Sequence, residues 1–178
     1  MPPLRAEDRY DSLFQWYWHV TAQRFGFDTS ADWRLLKAMA RQKSTPDATT
    51  PRPGALRRMP LMERGDLALD GTRNADNPEV AIREGALILA GMWATFKAAA
   101  GLERFRVACA AYHGGPRDIV RAQAFLQQRD LPRDQWVAIA MVLPEVTMTA
   151  TARETVEYVR RVFAEFDAAR AMPEPAHA

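Results

Sequence analysis

The sequence predicts an all-α protein, a single domain of six or more helices. Three observations carry that expectation. Apolar residues recur at steps of three and four, as in Ile82, Ala86, Leu89, Trp93 and Phe96, and again in Val156, Val159, Phe163 and Phe166. Helix punctuation separates such stretches: Gly26, "DNPE" at 76–79, Gly101 and "HGGP" at 113–116. No pair of alternating segments around a tight turn reads as a hairpin, and no internal repeat or second domain is visible.

Taken in order, residues 1–8 read as an N-terminal arm, 9–170 as the domain and 171–178, "AMPEPAHA", as a flexible tail. The first helix runs from about Arg9 to Phe25 and stops at Gly26. Its aromatic block, Phe14, Trp16, Tyr17 and Trp18, is dense enough for a substrate platform. Core packing is the preferred reading, because a small helical domain needs such anchors. A second helix starts near "TSAD", where Thr29 and Asp32 have capping-box spacing, and places Trp33, Leu36, Ala40 and Lys43 on one side. Residues 44–76 carry seven interruptions (Pro46, Pro51, Pro53, Gly54, Pro60, Gly65 and Gly71) and read as a loop with at most a turn of helix at 60–64. Asn77 as N-cap and Pro78 at the first helical position open the next helix, which Gly101 closes. "LERFRVACAAY" is a short helix stopped by "HGGP"; residues 117–129 and 133–142 form two more. The last opens at "TARE", with Thr151 and Glu154 again spaced as a capping box, and ends near Arg170.

The chain's 178 residues suit one domain with a sizeable core. Its 24 basic and 22 acidic residues balance too evenly to imply a nucleic-acid partner. A single cysteine excludes an internal disulfide, and no Cys/His cluster has zinc-ligand spacing, so no metal or other cofactor is expected. Cys109, in the apolar run "VACAAY", reads as a small buried hydrophobe. The opening "MPPLRAEDRYDSLF" lacks an apolar core behind basic residues, and no segment reaches the ~18 apolar residues of a membrane span. These features predict no signal peptide, no membrane span and synthesis in the cytoplasm.

Five stretches, in order, resemble one family. "DWRLLKAMARQKS" looks like the helix carrying the catalytic glutamate of lytic transglycosylases in their Gln-Glu-Ser motif. "PGALRRMPLM" resembles that family's Gly-Leu-Met-Gln segment, and "DNPEVAIREGALILAGMWATF" its next helix. "CAAYHGGP" is similar to the Ala-Tyr-Asn-Ala-Gly-Pro turn, and "RETVEYVRRVF" to the Glu-Thr-x-x-Tyr-Val helix. The match spans roughly residues 10–170. It implies the lysozyme-like, all-helical fold shared with goose-type lysozyme. It also implies a peptidoglycan glycan strand as ligand, near Lys43, Ser44, Arg57, Met59, Tyr112, His113, Glu154 and Tyr158.

In that family one glutamate protonates the glycosidic oxygen and then acts as base, yielding a 1,6-anhydro product. Lys43 stands at that position. An ammonium, with an unperturbed pKa of about 10.4, is a poor donor to an ether-like oxygen. Its charge would also repel an oxocarbenium-like transition state. A lysine neutralised by burial would still supply no carboxylate. The site departs from the family elsewhere. The loop after Ser44 is about two residues short, Arg57 replaces a Gln, and His113 replaces an Asn, whereas Tyr112, Gly115, Pro116, Glu154 and Tyr158 still match.

Between Arg41 and Arg64 six cations (Arg41, Lys43, Arg52, Arg57, Arg58 and Arg64) face two carboxylates, Asp47 and Glu63, a net +4. They are either solvated loop residues or a positive groove for an anionic partner, and both readings stand. His113, in a turn beside two glycines, has the chemistry of an acid or base but no evident carboxylate beside it. His19 reads as a packing or surface residue. The leading expectation is a degenerate lytic-transglycosylase-like domain, inactive, that binds peptidoglycan or serves as a structural, virion-associated part of a phage particle or injection apparatus. The rival is an active enzyme with a displaced acid: Glu63, Asp47 or Glu84. A third reading is an interaction module that takes an acidic protein partner.

Overall fold

The structure, a computed structural model, describes residues 10–44 and 78–172, the side chains of Lys43 and Ser44 excepted. Among these residues there are seven helices and no strand: α1 (Asp11–Phe25), α2 (Trp33–Ser44), α3 (Pro78–Thr95), α4 (Gly101–Gly114), α5 (Pro116–Gln127), α6 (Trp136–Val146) and α7 (Thr149–Ala171). The all-α class is therefore as the periodicity predicts. No helix among the described residues is long and apolar enough to cross a membrane.

Local chemistry sets the helix ends, and several differ from expectation, α6 among them, which spans Trp136–Val146 and not 133–142. α1 stops where Gly26 adopts φ 69° and its N–H bonds the Ala22 carbonyl at 2.8 Å, a conformation that costs glycine little. The carboxylate of Asp28 then accepts the Ser30 N–H at 2.9 Å, an Asx turn that holds Thr29 outside the next helix. The expected Thr29 cap is accordingly replaced by Asp32, whose Oδ1 accepts the Arg34 N–H at 2.9 Å. α3 ends at Thr95 rather than running to Gly101, with the Thr95 hydroxyl turned back onto the Gly91 carbonyl at 2.8 Å. Gly101, at φ 55°, opens α4 instead of closing α3. α7 begins at Thr149, ahead of the expected capping box. No side chain caps it, and Thr151 and Glu154 lie inside the helix.

α4 is the central helix, packed against α3, α5, α6 and α7. Phe105 and every residue from Val107 to Tyr112 are buried. The run Ala108-Cys109-Ala110-Ala111 explains why four neighbours can crowd it: small side chains let helix axes approach, and a helix apolar all round belongs inside. The stripe Ile82, Ala86, Leu89, Trp93 and Phe96 is buried as its spacing predicts, as are Val159, Phe163 and Phe166 of α7; Val156 is half-buried.

Trp18, Phe27, Trp93 and Phe105 form one aromatic cluster with ring centroids 5.0–5.9 Å apart. Arg104 closes it, its guanidinium 3.4 Å from the Trp93 ring centroid and its Nε donating to the Trp93 carbonyl at 2.7 Å. The core reading of the α1 aromatics thus holds for Phe14, which is buried, and in part for Tyr17 and Trp18. Trp16 points outward, 61% exposed, because it lies on the opposite face of the helix from Phe14 and Trp18.

Candidate functional site

α2 reaches α7 through its last turns. Leu35, Leu36, Met39 and Ala40 are buried, and beyond them Arg41 pairs with Glu165 at 2.8 Å while Gln42 Nε2 donates to the other Glu165 oxygen at 3.0 Å. This two-point clasp fixes the end of α2 on α7. Lys43 and Ser44 are the last two residues of α2. At the other end, Lys37 pairs with Asp11 of α1 at 2.5 Å.

The last turn of α4 meets the first half of α7 at a close crossing. Gly114 faces the buried Thr155 so tightly that a Cβ there would overlap Thr155 Oγ1 and lie 3.2 Å from its Cγ2. Gly115, at φ 96°, ends the helix with its N–H on the Ala111 carbonyl at 2.9 Å. The two glycines of "HGGP" therefore serve different needs, close approach at Gly114 and an unusual backbone angle at Gly115. Because α4 continues through Gly114, His113 sits in a helical last turn and not in the turn the sequence predicts. Its ring stacks on Tyr158 with centroids 4.3 Å apart and planes 13° from parallel.

Close to Tyr158 lie Tyr112 and Cys109, all three buried, with Cys109 Sγ 3.6 Å from Met39 Sδ of α2. Burial, reinforced by the nearby Cys109, pushes both phenols above their ordinary value. Burial raises the Cys109 thiol likewise. These groups therefore stay protonated at neutral pH and offer neutral surface rather than bases or nucleophiles. Cys109 should be inert toward an aromatic disulfide reagent in the native protein and titrate fully in denaturant; rapid native labelling would contradict its burial.

The substitution Gly114→Ala should destabilise the fold by about 1–3 kcal/mol, since a stiff, buried β-branched neighbour must shift to admit a methyl group. Denaturant unfolding that moved by less than ~0.5 kcal/mol would show that the α4–α7 crossing can relax.

Of the residues expected at the site, Tyr112, His113 and Tyr158 come together. Glu154, one turn before Tyr158 on α7, is exposed and stands outside the buried cluster. Glu84 lies on α3, half-buried, with Arg83 3.9 Å from its carboxylate. Arg57, Met59, Asp47 and Glu63 lie outside the described residues. His19 is exposed on α1. Among the described residues no three His, Cys, Asp or Glu side chains group as metal ligands. The sequence reading missed Glu165, the acid that engages both Arg41 and Gln42; only its place on the last helix opposite a basic turn could have pointed to it. No family model matches the chain, and no curated protein matches it.

Proposed function

We propose that the chain is a lytic-transglycosylase-like domain of lysozyme-like fold that binds a peptidoglycan glycan strand without cleaving it. It would serve as a structural part of an assembly that meets the cell wall, such as a virion-associated injection apparatus. The observation that carries this reading is the His113–Tyr158 stack. Two stretches far apart in sequence, each resembling a family motif, meet there at the α4–α7 crossing. The end of α2, where Lys43 stands in place of the acid, is clasped to the same helix α7.

The chemistry available there suits binding. A half-buried imidazole on a phenol ring offers a flat surface and a polar edge to a sugar, whereas the buried phenols and thiol hold their protons. A lysine at the acid position provides a hydrogen-bond donor for the acetamido and lactyl oxygens of the glycan but no carboxyl for proton transfer.

Sedimentation with purified sacculi tests the reading. Wild-type protein should pellet with the sacculi. His113→Ala should bind roughly fivefold more weakly, the loss of a stacked ring being worth about 1 kcal/mol, while its circular dichroism stays unchanged. Wild-type protein remaining in the supernatant would overturn the proposal.

A further inference from the structure

We draw no further inference here: the strongest candidate, the apolar face of α6 around Val137 and Met141, carries nothing because nothing in the structure shows what covers it.

Discussion

Phe105→Ala lowers the stability of the domain by about 3–5 kcal/mol. Phe105 is fully buried in α4, and its ring meets Trp18 at 5.7 Å, Phe27 at 5.3 Å and Trp93 at 5.9 Å. It thus joins α1, the segment after it, and α3 to the central helix. Truncation removes the transfer free energy of the ring and leaves a void that three other large rings cannot readily fill. Domains of this size are stable by only about 5–15 kcal/mol, so the variant should unfold at a much lower denaturant midpoint with the same slope. A loss under ~1 kcal/mol would mean that the cluster is not the packed centre of the fold.

The second large effect is an absence. Lys43→Glu should leave peptidoglycan cleavage at least ~100-fold below that of an active lytic transglycosylase, a deficit that a misplacement of about 1 Å can produce. The variant would carry a carboxyl where the proposed lytic-transglycosylase-like reading puts the acid, but a general acid also needs a pKa near the working pH and a substrate held in line. On the proposed lytic-transglycosylase-like reading, His113 takes the place of an Asn; it is stacked on Tyr158, so the edge presented to a sugar would be an imidazole and not an amide. On the same proposed reading Arg57 takes the place of a Gln, and the segment after Ser44 is about two residues short of the family pattern. Arg41 exerts less pull on such a carboxyl than its sequence position implies, because Glu165 already neutralises it at 2.8 Å. The positioning defects therefore carry most of this prediction. The assay is release of anhydromuropeptides from sacculi, read by mass spectrometry; robust product from the single variant would mean that the rest of the site is intact.

Much of the fold is legible in the sequence because burial follows the helical period. The stripe from Ile82 to Phe96 and the face of α7 could be read from spacing alone, and Gly26 and Pro78 mark helix ends through backbone geometry that few other residues share. Capping was less legible. Thr29 and Thr151 have the right spacing to a carboxylate, but Asp32 caps α2 through the Arg34 N–H while Asp28 holds the Ser30 N–H in a turn ahead of the helix, and α7 starts early enough to absorb Thr151. Spacing cannot rank such competing hydrogen bonds.

The site was legible only as far as motif order reaches. Tyr112, His113 and Tyr158 are linked in the sequence only through the resemblance, and they meet at the α4–α7 crossing. That Gly114 is needed for contact with Thr155, and that Glu165 clasps the end of α2, depends on the angle between α4, α2 and α7, which no local pattern encodes. That Val137 and Met141 of α6 are exposed while Trp136 and Ile139 are buried was not legible for the converse reason. A run apolar on both sides gives no amphipathic signal to say which side the fold leaves open.

The central claim is binding without cleavage, and one measurement addresses it most directly. Purified sacculi are incubated with the wild-type protein, pelleted, and both fractions analysed, the pellet for bound protein and the supernatant for soluble muropeptides by mass spectrometry. Protein in the pellet with no anhydro or reducing muropeptide in the supernatant is the result this account predicts. Anhydromuropeptides released by the wild type would contradict it, and would assign the acid to a carboxylate elsewhere in the chain.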